Sequence, residues 1–290
     1  MIFKELGKTG EKISVIGLGS WDLGERTDDK ISAIKTALSL GVNFIDTAEI
    51  YGTEPLVGEA IKNENAFIAT KVWTNHFHYD DVIKACDGSL QKLGVEQVGL
   101  YQLHWPNKSV DIKETMRAME KLVDDGKVRY IGVSNFDKKQ FIEAQNSLSK
   151  YDIVSNQVEY SVLVRDPEAE LLPYLQKERV TLIAYSPFGK GVLFKPKYKK
   201  LTDVLSNIGK KYGKTAAQVA LNWLISKDEV VAIPKASTPA HAVDDVQSSD
   251  FSLEQADVSA INYLNKKFKR KSLKRKIHPV LHVYNLLKRR

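Results

Sequence analysis

Eight short, nearly continuous apolar runs, each followed by a stretch of helical periodicity, constrain the fold of this chain more than any other feature. They are ISVIGLG (13–19), NFIDTA (43–48), AFIATKVW (66–73), VGLYQLHW (98–105), RYIGVSNF (129–136), VSNQVEY (154–160), TLIAYSP (181–187) and VVAIPKA (230–236). A strand with one wet face alternates apolar and polar residues. Most of these runs do not alternate, so both faces of the strand are buried, as in a parallel sheet covered by helices. The stretches between them supply those helices. Ile112, Met116, Met119, Leu122 and Val123 share one helical face, with Asp111 placed to cap its start and Gly126 to end it. Ile31, Ile34, Leu38 and Leu40 do the same ahead of Gly41, and TAAQVALNWLI (215–225) is apolar nearly all round, which predicts a buried helix. Residues 201–213 give one additional helical stretch.

Eight strand–helix units in this order predict an α/β fold, a (β/α)8 barrel, and 290 residues suit one such domain. The rival is a doubly wound sheet, which carries a Gly-x-Gly-x-x-Gly turn after its first strand. Here Gly17-Leu18-Gly19 continues into Ser20, Trp21 and Asp22, so the third glycine is missing. Ahead of the barrel, Lys8, Thr9 and Gly10 separate two short runs and predict a hairpin.

Charge divides the chain in two. Residues 266–290 hold 11 Lys and Arg and no acidic residue, leaving 32 basic against 36 acidic residues elsewhere, a net −4. The expected organisation is therefore a barrel over 1–265 and a basic tail over 266–290. The tail is either a solvated arm or a contact for nucleic acid or an anionic membrane. Val280, Leu281, Val283, Leu286 and Leu287 offer it an apolar face that would dock on the barrel. The single cysteine, Cys86, rules out a disulfide within the chain. No run resembles a signal peptide or a membrane span, so the expected location is the cytoplasm.

In such a barrel the C-terminal ends of the strands converge on one mouth. Asp46 ends the second run, Tyr51 follows five residues on, Lys71 lies near the end of the third and His104 near the end of the fourth. Each has an ordinary explanation alone: a turn cap, a loop aromatic, a snorkelling lysine, a core histidine. Together they suit reduction of a carbonyl. The oxygen becoming an alkoxide needs a proton, which a tyrosine can give. A nearby ammonium, Lys71, would lower the phenol pKa from about 10. Asp46 would partner the buried ammonium, and His104 would orient the oxygen.

The chain resembles the aldo-keto reductase family over residues 1 to about 265. The resemblance rests on GLGSW (17–21), DTAEIYG (46–52), ATKVW (69–73), YQLHWP (101–106), GKVRYIGVSNF (126–136), NQVEY (156–160), AYSPFGKGVL (184–193) and IPKAS (233–237). It implies a (β/α)8 TIM barrel whose bottom is closed by an N-terminal β-hairpin, and a catalytic set of Asp46, Tyr51, Lys71 and His104 with Tyr51 as general acid. It also implies a nicotinamide cofactor across the mouth, beside Gly19, Ser20, Trp21 and Asp46. Ser134, Asn135 and Gln157 match the positions that bind the carboxamide, and Tyr185 the aromatic stacked on the ring. Ser186, Pro187, Phe188 and Lys190 match the strap over the pyrophosphate. Lys235, with Ala236, Ser237 and Thr238, matches the segment facing a 2′-phosphate.

That last segment departs from the family's pattern. His241 stands where an arginine is expected, and Asp245, preceded by Asp244, where an asparagine is expected. A histidine is a weaker phosphate partner than a guanidinium. NADPH stays the implied cofactor because Lys235 remains, with NADH left open. Trp21, Trp73 and Trp105 are candidates for a substrate wall suited to apolar or aromatic carbonyl compounds. His76 and His78 form a loose His-x-His pair without further ligands, so no metal is expected. Some family members are cofactor-bound subunits of membrane channels. The alternative to an enzyme is therefore a regulatory or binding protein whose basic tail contacts an anionic partner.

Overall fold

The computed structural model describes residues 1–268, with side chains as far as Tyr263. The basic tail past Phe268, with its apolar residues 280–287 and its expected anionic contact, lies outside the described residues. A hairpin of β1 (Phe3–Glu5) and β2 (Lys12–Ser14) comes first. The barrel strands are β3 (Leu18–Gly19), β4 (Phe44–Asp46), β5 (Phe67–Val72), β6 (Val98–Leu103), β7 (Val128–Ser134), β8 (Ile153–Glu159), β9 (Thr181–Tyr185) and β10 (Val230–Ile233). All pair in parallel in chain order. A parallel bridge between Ile16 and Ala232, with Gly17 N donating to the Ala232 carbonyl at 2.8 Å and Gly19 N to that of Pro234 at 2.8 Å, joins the last strand to the first. The result is the expected (β/α)8 barrel.

Helices α1 (Asp28–Ser39), α2 (Glu54–Ala60), α3 (Tyr79–Leu93), α4 (Ile112–Asp124), α5 (Lys138–Gln145) and α6 (Leu171–Glu178) follow β3 to β8 in turn. Two helices, α7 (Lys199–Tyr212) and α8 (Ala216–Ile225), follow β9; α9 (Pro239–Val246) follows β10, and α10 (Gln255–Phe268) packs outside. Their boundaries have local causes. The Asp111 carboxylate accepts from Lys113 N at the start of α4, and Thr215 with Gln218 forms a capping box on α8. α8 is buried over most of its surface, as its composition predicts.

Two expectations are corrected. ISVIGLG is not one strand: Ile13 and Ser14 belong to the hairpin and only Leu18–Gly19 to the barrel, because the chain turns between the two sheets. Leu40 does not join the apolar face of α1. It is the residue after the helix and is 41% exposed, and Ala33 and Ala37 fill the face instead.

The barrel interior is layered. Phe44, Phe67, Leu100, Val154, Ile183 and Val231 fill it near the N-terminal ends of the strands, and Leu6 and Ile13 of the hairpin segment pack against them. The hairpin is thus the floor of the barrel. Lys4 fastens it. Its ammonium donates to the carbonyls of Ile225 (2.7 Å), Lys227 (2.6 Å) and Val230 (2.9 Å), the turn that leads into β10. Hydrogen bonds from a charged donor contribute about 1.5–3 kcal/mol, and orphaned carbonyls add to the loss. Lys4→Met is therefore expected to lower unfolding free energy by about 2–3 kcal/mol. A shift of the urea midpoint at unchanged slope is the check; an unmoved midpoint would show that water replaces the ammonium at no loss.

Candidate active site

At the opposite end of the barrel the interior turns polar. The register sets this layer: Asp46 is the last residue of β4, and Lys71 of β5 lies beside Gln102 of β6. Gly132 of β7 lies next in the same row, and a Cβ there would come within 2.6 Å of Ser155 Oγ and 2.9 Å of Gln102 Cγ. The absent side chain makes room for Gln102.

Lys71 is fully buried and Asp46 nearly so. Lys71 Nζ donates to Asp46 Oδ1 at 2.6 Å and to the Thr47 carbonyl at 2.7 Å. The other carboxylate oxygen, Asp46 Oδ2, accepts from Gln157 Nε2 at 2.7 Å and from Gln102 Nε2 at 3.3 Å. Both oxygens of a buried charge are therefore satisfied, which such a pair needs to persist away from water. Burial still lowers the Lys71 pKa below the usual lysine value, with Asp46 opposing that shift.

Tyr51 sits in a short turn, Glu49–Tyr51, after β4. Its hydroxyl is 3.3 Å from His104 Nε2, and Lys71 Nζ lies 4.9 Å from its ring centroid. The structure thus gathers all four residues. One electrostatic expectation is reversed. Burial, followed by the charge of Asp46 and by Tyr185, raises the Tyr51 pKa well above 10.0. Burial is the leading cause, and the hydrogen bonds of the Lys71 ammonium go to Asp46 and Thr47. His104 moves the other way. Burial, reinforced by Lys71, holds its pKa well below 6.5, so the imidazole is neutral. Trp73 packs edge-on against that imidazole at 5.1 Å between ring centroids.

The neighbouring strand ends carry a second polar group. Ser134 Oγ donates to the Gln157 carbonyl at 2.9 Å, and Asn135 Nδ2 to Ser134 Oγ and to the His104 carbonyl, each at 3.0 Å. Tyr185 Oη donates to Asn135 Oδ1 at 2.9 Å. Asn135 adopts a left-handed backbone (φ 65°), which turns the chain off β7 toward the mouth. The strap segment bends through four left-handed residues, Ser186, Gly189, Lys190 and Gly191, with Pro187 buried between them and Phe188 against Phe194. At the rim, Lys190 Nζ lies 4.2 Å over the ring of Trp21, which is 45% exposed. Gly19 ends β3, and Ser20 Oγ shares a hydrogen bond with Thr53 Oγ1 at 2.8 Å.

Lys235 is exposed and donates to the Asp22 carbonyl (3.0 Å) and to Asp22 Oδ2 (3.3 Å). Beyond it Ala236 is buried, Ser237 is half-buried, and Thr238 caps α9 by accepting from His241 N. His241 is exposed. Asp245 turns inward, and burial, followed by Asp244, raises its pKa well above the usual carboxylate value. Of the substrate candidates, Trp73 is buried and Trp105 half-buried. His76 pairs with Glu49 and His78 with Glu114. Among the described residues no three His, Cys, Asp or Glu side chains gather as a metal site would need, and no helix is long and apolar enough to cross a membrane. Sequence reasoning missed Gln102, Thr47 and Asp22. Strand register places Gln102 beside Lys71, whereas Thr47 and Asp22 make their contacts from the loops that follow β4 and β3.

The neutral state of His104 has a measurable consequence. Between its depressed folded pKa and 6.5 the unfolded chain holds a proton that the native state lacks, so stability falls as pH drops below 6.5. The slope from this one group approaches about 1.4 kcal/mol per pH unit. His104→Gln should flatten that acid-side decline in urea unfolding series; an unchanged slope would mean that His104 is charged in the folded protein.

The Aldo/keto reductase family model matches residues 15–266. The chain is 34% identical over 258 residues to the methylglyoxal reductase YeaE of Escherichia coli, covering 86% of this chain and 90% of that one. Among solved structures, the thermostable aldo-keto reductase Tm1743, in complex with the inhibitor epalrestat, superposes with a TM-score of 0.86 at 40% identity, over 91% of this chain and all of the other. An aldo-keto reductase of Klebsiella pneumoniae in complex with NADPH gives 0.86 at 31% identity, over 94% and 98%.

Proposed function

The chain belongs to the aldo-keto reductase family, and from that premise we propose that it reduces aldehydes or ketones to alcohols with NADPH, using Tyr51 as the proton donor. The observation that carries this reading is the contact of the Tyr51 hydroxyl with a neutral His104 at 3.3 Å, above a fully buried Lys71–Asp46 pair.

The residues at the mouth suit a nicotinamide dinucleotide. One end offers amide and hydroxyl groups, Ser134, Asn135 and Gln157, which match the donors and acceptors of a carboxamide. The Tyr185 ring sits beside them. The other end offers two ammonium groups, Lys190 and Lys235, suited to phosphates. When bound, NADPH supplies the hydride that reduces the carbonyl carbon. The rest is the work of this chain. Tyr51 Oη releases its proton to the carbonyl oxygen as that oxygen gains negative charge, and His104 Nε2 shares the same point and orients the oxygen. The phenolate left behind is compensated by the Lys71 ammonium over its ring. Asp46 keeps that ammonium charged and in place. Trp21, Trp73 and Trp105 give the substrate side an aromatic character, which favours apolar or aromatic carbonyl compounds. The lone cysteine, Cys86, is buried and unpaired, which suits a reducing compartment, and we assign the protein to the cytoplasm.

Tyr51→Phe is expected to lower kcat for NADPH-dependent aldehyde reduction by about 10²–10⁴-fold while NADPH binding stays within roughly two-fold. Cofactor oxidation followed by absorbance, and binding followed by protein fluorescence, separate the two. A variant that retains full turnover removes Tyr51 from the mechanism.

Lys235 decides between cofactors in this reading. With His241 in place of a guanidinium, it carries most of the 2′-phosphate recognition. Lys235→Met is expected to weaken NADPH by about ten-fold or more, the loss of one charge-assisted hydrogen bond, and to leave NADH nearly unchanged. Parallel fluorescence titrations give the ratio; equal losses for both cofactors would place the 2′-phosphate elsewhere.

A further inference from the structure

Tyr51 rides on a turn, and a proton donor on a turn must be held to the frame that carries its partner. Two carboxylates flank it in sequence, Glu49 and Glu54; Glu54 reaches β5, the strand that carries Lys71, and Glu49 reaches the residue that follows that strand. The Glu49 carboxylate accepts from the backbone N–H of Trp73, two residues after Lys71. Glu54 Oε1 accepts from Thr70 Oγ1 at 2.7 Å, one residue before it. The two bonds bracket the pair: residues 49 and 54 enclose Tyr51, and residues 70 and 73 enclose Lys71.

We propose that Glu49 and Glu54 are positioning residues, a two-point staple that fixes the Tyr51 hydroxyl above Lys71 and beside His104. The proposal rests on the reductase reading above and extends it to residues with no contact to substrate.

Burial supports it. The Glu54 side chain is 1% exposed and that of Glu49 11% exposed, although Glu49 lies in a turn and Glu54 opens α2, where acidic residues ordinarily face water. Glu54 sits on the outer face of the barrel wall, where Thr70 lies beside Tyr101 in register. The charged and titratable groups that interact with it are Lys92, whose ammonium is 3.7 Å from Oε2, Lys71 of β5, Cys86 of α3 and Tyr101 of β6. One step along β5 the side chains point inward and form the Lys71–Gln102–Asp46 layer. The wall thus carries a polar layer on each face, and the outer one ties down the turn that feeds the inner one. Glu49 makes a further tie, accepting from or pairing with His76 Nδ1 at 3.1 Å.

The experiment uses the full chain. Thr70→Val keeps the shape of the side chain and removes the hydroxyl; Thr70→Ser restores a donor. Glu49→Ala removes the other bond, and Glu49→Gln keeps an acceptor oxygen. Two readouts are taken: amide hydrogen exchange of residues 49–53, and kcat alongside the NADPH dissociation constant. Expected are exchange faster by about ten-fold in 49–53 for Thr70→Val and Glu49→Ala, with β6 unaffected. Their kcat should fall about 10–100-fold with NADPH affinity nearly unchanged, and Ser and Gln should recover most of it. Unchanged exchange overturns the staple, whatever the activity. Faster exchange with full kcat overturns its catalytic role. Parallel loss of kcat and NADPH affinity makes it a general support of the fold and likewise overturns the proposal. Should Thr70→Val fail to fold, the Glu49 pair alone decides. A wild type inactive on every carbonyl, with exchange responding as expected, defeats the reductase reading and the positioning role with it, while leaving the two bonds themselves established.

Discussion

An ammonium and a carboxylate lie 2.6 Å apart in a site that water does not reach, and the upper half of this barrel is organised around keeping them there. Attraction alone does not secure such a pair, because desolvating both ions offsets much of it. What secures it is the supply of further partners: the Thr47 carbonyl for Lys71, and the amides of Gln157 and Gln102 for Asp46. Those partners come from the residue after β4, from β8 and from β6. Removing either ion would leave the other buried without compensation, a loss of about 3–5 kcal/mol. The pair therefore ties strands together at the same place where it serves the proposed chemistry.

The other half of the barrel meets the opposite demand. Its interior is closed by Leu6 and Ile13 from below and filled by aromatic and branched residues. Lys4 shows that the floor, too, is held by an ammonium, but one satisfied by three backbone carbonyls instead of a carboxylate. Burial lowers the Lys4 pKa to about 8, with Asp228 and Glu229 opposing the shift. The apolar floor and the candidate site thus lie at opposite ends of the same strands, as is general for this architecture.

The eight strands and their helices are legible in the sequence because burial on both faces and amphipathic periodicity are local signals. So are the Asp111 cap and the buried character of α8. The strand-end residues Asp46, Lys71 and His104 are legible because a barrel directs every strand end to one mouth. Gln102 is not, since its role depends on lying beside Lys71 in register and on the space that Gly132 leaves. Asp22 is not, since its contact with Lys235 spans 213 positions of chain. The first barrel strand is overcalled for a related reason. ISVIGLG is apolar throughout, and apolar character does not reveal where a chain passes from one sheet to another.

The raised Tyr51 pKa bears on the role proposed for Lys71. A phenol near its ordinary value of about 10 keeps its proton at neutral pH, and burial strengthens that hold. In the mechanism we propose, the ammonium over the ring stabilises the phenolate left when the proton leaves, a charge that the buried site would otherwise penalise. That proposal places the stabilisation in the state where charge moves onto Tyr51, the distribution that speeds a reaction in preference to tightening the ground state.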